Sequence, residues 1–250
     1  MISLASWWNA CWDFLYPPQC GYCGSGMEAD RSPLCGACLS RFTLAEGAVC
    51  FRCGAPVGPH LETTSGCGLC RREKFAFERV FAGGTYQDGL RAAILAAKGH
   101  RDGSLGAALV QLVWEQRRTE IEALKLNCVV PVPHHWRDRI IQTQLAATTM
   151  AQVWSRLLLV PMWRHILVKR RSTPRQASLT PAKRKLNLTK AFRVSGAANL
   201  KGLRILLVDD VLTTGTTAHQ ASRVLRNAGA DQVYVAVIAR GIGNDRLSSG

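Results

Sequence analysis

No run of about 18 uncharged apolar residues occurs in this 250-residue chain, so no segment is long and apolar enough to span a bilayer as a helix. The first eighteen residues, MISLASWWNACWDFLYPP, are apolar, yet no basic stretch precedes them, Asp13 interrupts them, and no small-residue cleavage site stands before Pro17 and Pro18. Those absences argue against a secretory leader and for a cytoplasmic protein. The spacing of Leu4, Trp7, Trp8, Cys11, Trp12 and Leu15 predicts instead a short amphipathic helix over residues 1–18. Neither G-x-x-x-x-G-K-[ST] nor G-x-G-x-x-G is present, which removes the two commonest phosphate-binding loops. Acidic side chains are scarce, with 17 Asp and Glu against 32 Lys and Arg and a formal net charge of +15. Such a balance favours phosphate-rich partners. The scarcity is complete in residues 164–193, where Arg164, Lys169, Arg170, Arg171, Arg175, Lys183, Arg184, Lys185, Lys190 and Arg193 face no acid in sequence, a local excess beyond what solubility needs.

Cysteine, by contrast, is plentiful and ordered. Eight of ten cysteines form four Cys-x-x-Cys pairs: Cys20/Cys23, Cys35/Cys38, Cys50/Cys53 and Cys67/Cys70. Two thiolates separated by two residues can bend round one metal ion, and two such pairs complete a tetrahedral Zn²⁺ site. Intervals of 11 residues from Cys23 to Cys35 and 13 from Cys53 to Cys67 are close to ribbon spacing. Spacing leaves open whether neighbouring or interleaved pairs share a metal. Four-thiolate zinc has no free coordination position, so the expected role is structural. A disulfide framework lacks the export signal it needs, and a redox dithiol lacks a surrounding βαβ unit. Cys11 and Cys128 stand alone in apolar surroundings and read as small buried hydrophobes.

From Leu203 the pattern becomes that of an α/β unit. LRILLV is a continuous apolar run suited to a parallel strand buried on both faces. Asp209, Asp210 and the loop VLTTGTT follow. Then Ala221, Val224, Leu225 and Ala228 mark a helix that stops at Gly229, and VYVAVIA supplies the next strand. Ligands of open α/β sheets sit beyond the carboxyl ends of strands, where this loop lies. Amides and hydroxyls around Val211, Leu212, Thr213, Thr214, Gly215, Thr216 and Thr217 can cradle a phosphate at the positive end of a helix. The carboxylates of Asp209 and Asp210, expected at the exposed end of the strand, can accept hydrogen bonds from a ribose diol and help hold Mg²⁺.

ILLVDDVLTTGTT closely resembles the PRPP-binding loop of type I phosphoribosyltransferases, and the chain as a whole resembles the ComF family, which joins N-terminal Cys-x-x-Cys pairs to that fold. The resemblance also covers YPPQC before the first cysteine pair, LRAAILAAKGHRD with Lys98, VVPVP at Val129–Pro133, and STPRQASLTPAKRKLNLTKAF at Ser172–Phe192. It implies a type I phosphoribosyltransferase-like α/β fold, an open and mainly parallel sheet with flanking helices, preceded by a small zinc-ribbon module. Arg137 and Arg139 fall in the family's pyrophosphate-side loop. Thr173, Arg175, Gln176, Leu179, Arg184 and Asn187 fall in the stretch that, in related transferases, closes over PRPP. One departure is clear: where the family carries an R-G-F-N-Q-like motif, this chain has Arg139, Ile140, Ile141, Gln142 and Thr143, without the glycine or the aromatic.

The resulting organisation is a helix at 1–18, a cysteine module at 19–72 and an α/β domain at 73–250. Within the last, a strand is expected at 79–86, helices at 87–98 and 104–125, a strand at 127–132, a helix at 139–158, a strand at 163–169 and a basic lid at about 170–190. The resemblance implies an accessory of DNA uptake in natural transformation that contacts single-stranded DNA and a competence helicase. The PRPP loop alone equally suits a transferase acting on an unidentified acceptor, or a sensor of PRPP without turnover.

Overall fold

The computed structural model describes residues 18–27, 32–45, 47–61, 63–99, 103–133, 146–169, 191–196 and 199–243. The apolar run expected as a doubly buried strand is β5, Arg204–Val208. It lies beside β7, Gln232–Arg240, and β2, Cys128–Pro131, while β1, Val80–Thr85, borders β7 on its other side. All these pairings are parallel and give the order β1-β7-β5-β2. Alternation sorts the side chains to two faces. From β7, Tyr234, Ala236 and Ile238 pack with helices α2, Asp88–Gly99, α3, Ser104–Glu122, and α4, Ala146–Leu158. Val233, Val235 and Val237 pack on the other face, against α5, Thr216–Asn227. Burial on both faces is why these strands are continuously apolar.

Strand β6, Val211–Leu212, lies inside what the sequence presents as loop. It prolongs β5 in one register, since Val208 faces Ala236 and Val211 faces Ala239. The backbone thus runs through Asp209 and Asp210 without a bulge, held by Asp209 N–H to the Ala236 carbonyl at 3.1 Å and Ile238 N–H to the Asp210 carbonyl at 3.0 Å.

The strand expected at 163–169 is shorter. Residues 161–163 lie along β2, with Trp163 N–H donating to Val129 O at 2.8 Å, and the chain then turns away. Only β3, Leu167–Lys169, is a strand, paired antiparallel with β4, Phe192–Val194, a three-residue element too short to carry a periodic signal. Of the helix expected at 139–158, residues 146–158 are helical and 139–145 lie outside the described residues. So do residues 1–17 of the helix expected at 1–18, and the basic stretch 170–190.

The cysteine-rich segment packs on this sheet. Its short helix α1, Gly36–Leu39, carries Cys38, and Cys20, Leu34, Cys38 and Phe42 join the cluster around α2 and α3. Residues 43–45 cover the outer edge of β1, with Ala45 N–H to Gly83 O at 2.9 Å and Thr85 N–H to Thr43 O at 2.8 Å. A Cβ at Gly84 would collide with the Thr43 carbonyl, so only glycine permits this approach. An edge that could otherwise pair with another chain is closed. Cys128 is wholly buried, and burial pushes its thiol up to about 12, which fits an inert core residue. Among the described residues no helix is long and apolar enough to cross a membrane.

Candidate functional site

The four cysteine pairs combine as neighbours. Cys20, Cys23, Cys35 and Cys38 form one set and Cys50, Cys53, Cys67 and Cys70 the other, with the sulfurs of each set within 4.8 Å of one another. Cys23 and Cys35 sulfurs are 3.7 Å apart, Cys50 and Cys70 3.6 Å, and Cys53 and Cys67 3.7 Å. Zinc–sulfur arms of about 2.3 Å at tetrahedral angles separate sulfurs by about 3.8 Å, so both sets fit one zinc ion each. Gly24 (φ 72°) and Gly54 (φ 67°) supply the left-handed turns after the first pair of each set, and Cys35 N–H donates to the Cys20 sulfur at 3.3 Å. The first set reaches the surface at Cys23, where the Ser25 hydroxyl, 2.9 Å away, pulls the thiol down to about 6 and so favours the thiolate. The second set is wholly enclosed. Elemental analysis of protein made in zinc-replete, reducing medium is expected to give about two zinc ions per chain. Protein free of zinc under those conditions would refute the assignment.

Beyond the carboxyl end of β5, one hollow is lined by Asp209, Val211, Leu212, Thr213, Thr214, Gly215, Thr216 and Thr217. Gly215 takes φ 75° and precedes α5, whose first amides therefore open into the hollow. The Thr214 and Thr216 hydroxyls are 2.8 Å apart, and His219 N–H closes the first helical turn on Gly215 O at 2.8 Å.

The acid pair is less exposed than expected. Asp209 and Asp210 are both half-buried. An Asp209 carboxylate oxygen accepts Asp210 N–H at 3.0 Å, and an Asp210 oxygen accepts Val211 N–H at 2.8 Å. Lys98, at the end of α2, forms an ion pair with Asp210. Burial, and then the neighbouring Asp210 charge, holds the Asp209 carboxyl well above the usual carboxylate range. Burial alone would lower Lys98, but the Asp210 carboxylate outweighs it and raises the ammonium above its ordinary value.

Three further groups shape the loop, and periodicity gave no signal for them. The Phe75 and Phe77 rings stack 4.5 Å apart, and a Cβ at Gly215 would meet Phe75 at 3.0 Å. His219 Nδ1 accepts Ala76 N–H at 3.1 Å. Arg240, buried at the end of β7, brings Nη1 to the carbonyls of Leu212, Thr213 and Gly241. An arginine closing a buried apolar strand was the visible clue to the last. Arg137, Arg139, Arg175 and Gln176, with Thr173, Leu179, Arg184 and Asn187, lie outside the described residues.

Comparison with known proteins agrees with both halves. A double zinc ribbon domain model matches residues 11–71, and a phosphoribosyl transferase domain model matches residues 146–248. Competence protein F of Haemophilus influenzae is 28% identical over 232 residues, covering 89% of this chain and 96% of its own. DNA utilization protein YhgH of Escherichia coli is 30% identical over 234 residues, covering 90% and 97%. Among solved structures, adenine phosphoribosyltransferase of Leishmania tarentolae aligns with 60% of this chain and 75% of its own at 12% identity and a TM-score of 0.37.

Proposed function

Because the chain belongs to the ComF family of competence protein F and DNA utilization protein YhgH, we propose that it is a cytoplasmic accessory of DNA uptake and processing whose α/β domain binds PRPP with Mg²⁺. The observation that carries the ligand reading is the convergence of Asp209, Gly215 and four threonines on one hollow at the carboxyl end of a parallel sheet. Amides of the loop and of the first turn of α5 receive the 5′-phosphate, and the helix dipole favours its charge. Asp209 and Asp210 accept the ribose 2′- and 3′-hydroxyls and would hold Mg²⁺ directly or through water. Mg²⁺ would there neutralise pyrophosphate oxygens. Lys98 keeps one acid oriented while balancing its charge.

The second half of the proposal, contact with single-stranded DNA beside a competence helicase, is supported by the net charge of +15 and the acid-free stretch 164–193. One observation favours transfer to an acceptor as a second reading. An apolar hollow lined by Ile94, Ala97, Leu109, Met150 and Ile238 shares Asp210 and Lys98 with the acid pair, and so offers a dry surface beside the sugar site.

Calorimetry tests the ligand reading. The purified protein is expected to bind PRPP in Mg²⁺ and to lose most of that affinity in EDTA. No heat or shift in melting at millimolar PRPP with Mg²⁺ would reject it. Pyrophosphate release above the spontaneous rate, with candidate bases supplied, separates a transferase from a protein that only binds PRPP.

A further inference from the structure

An open hollow of about 440 Å³, within the usual range for ligand pockets, lies where the chain leaves β2 for β3. Trp163, Arg164, His165, Ile166 and Ser195 line it, and it shares no residue with the hollow at Asp209–Thr217. The backbone under it is fixed. Val129 N–H donates to Pro161 O at 3.0 Å and Trp163 N–H to Val129 O at 2.8 Å, which holds Trp163 at the outer edge of β2. Its half-buried side chain packs against the core cluster that holds Ile166, Leu167 and Phe192. Across the hollow, Ser195 N–H donates to Ile166 O at 2.8 Å and prolongs the β3–β4 pairing past Val194. Alternation along the strand puts Arg193 on the same face as Ser195, and Arg164, His165 and Arg193 are all exposed. No acid opposes these cations. The sequence has no Asp or Glu from Arg139 to Val208, and α5, which packs against β4, has none either. Among the described residues neither Arg164 nor Arg193 forms an ion pair.

We propose that this hollow receives one nucleotide of single-stranded DNA, its base stacked on Trp163 and its flanking phosphates held by Arg164 and Arg193. The inference deepens the DNA half of the proposed function and rests on it. Every base has a π face, so an indole anchored by its backbone accepts any of them, and the guanidinium groups beside it meet the charge that each nucleotide brings. In a duplex the base faces are covered by their neighbours, and only an unpaired strand can lay a base on the ring. The basic stretch 164–193 attracts single and double strands alike. Trp163 is what separates them, and stacking on it is a contribution that salt does not screen.

Fluorescence anisotropy of the full chain, with a labelled oligothymidine and with a duplex of equal length, supplies the test. Trp163→Ala is expected to weaken single-strand binding by about five- to hundredfold, the range for one stacked base. The slope of log affinity against log salt should stay as in wild type, and so should affinity for the duplex. Trp163→Phe keeps a ring and should restore most of the loss. Arg164→Ala combined with Arg193→Ala is expected instead to lower the salt slope by about 0.7 for each phosphate contact removed. Single-strand affinity in Trp163→Ala equal to wild type would overturn the proposal, as would an equal loss on the duplex. If Trp163→Ala does not fold, wild type decides: an oligonucleotide carrying bromodeoxyuridine, irradiated on the protein, should cross-link at Trp163, and cross-links confined to other segments would overturn the assignment. Wild type that binds no single-stranded DNA at low salt refutes the DNA reading and this inference with it, whereas wild-type binding that Trp163→Ala leaves unchanged refutes this inference alone.

Discussion

Asp209→Asn combined with Asp210→Asn is expected to weaken PRPP–Mg²⁺ binding by about two to four orders of magnitude and to leave the α/β domain folded. In the proposed site each carboxylate would offer charge-assisted acceptance to the ribose diol, worth roughly 1.5–3 kcal/mol, and about 1.4 kcal/mol is a factor of ten. Asparagine keeps a side-chain oxygen for the loop amides, so the bonds from Asp210 N–H and Val211 N–H have an acceptor in the variant. Two effects on stability oppose each other. A carboxyl whose pKa the fold raises destabilises the fold at pH values above that pKa, and this penalty fades as pH falls to the unfolded value of about 3.9. Asp209→Asn therefore gains stability at neutral pH and nothing near pH 3. Asp210→Asn deprives Lys98 of its ion pair and costs stability. The melting midpoint of the ligand-free double variant at pH 7 should stay within about 4 °C of wild type, roughly 1 kcal/mol for a chain of this size. Calorimetry with PRPP and melts without it give the comparison, and wild-type affinity in the double variant would show that the loop is not the site.

Single-stranded DNA should be released by salt with a still larger effect. A surface that neutralises 6–10 phosphates loses about 10³–10⁵ in affinity between 50 and 200 mM salt, and sequence preference should be slight because backbone contacts dominate. The stretch 164–193 holds enough Lys and Arg to supply most of those contacts. Reversing the charge of Arg170, Arg171 and Arg175 together should lower both affinity and the slope of its logarithm against the logarithm of salt. Binding by fluorescence anisotropy that is indifferent to salt would reject the electrostatic account.

The two parts of the site differed in how openly the sequence displayed them. Cys-x-x-Cys spacing is a local signal, so both cysteine sets could be located, but which pairs share a site depends on how the chain folds between them, a tertiary fact. The hollow at Asp209–Thr217 was legible because strand, acids, glycine and helix are contiguous. Phe75 was not legible as part of that site, and Arg240 showed only as an arginine closing an apolar run, since both reach the loop from elsewhere in the chain through tertiary contacts. The acids were misjudged as exposed for a related reason. The sequence shows where a strand's apolar run ends, but not that β6 carries the backbone onward or that α2 sets Lys98 against Asp210. In residues 161–169, Trp163, Ile166, Leu167 and Val168 read as a longer strand than forms, because the apolar pattern cannot show that the chain leaves β2 to build a separate two-stranded ribbon.

The placement of β7 also bears on how the molecule is made. It is the last strand of the described sheet in chain order, yet it lies between β1 and β5, with pairs as distant as Val80 and Val235. A chain emerging from the ribosome can wind its cysteine segment and the helices around β1 early, but β1 and β5 then each keep one unpaired edge until residues 232–240 arrive to join them. Contacts so far apart in sequence form slowly. The hollow at Asp209–Thr217, which Val237 of β7 lines, has no rear wall before that moment, so it is completed only when the two half-sheets are zipped together by a single late strand.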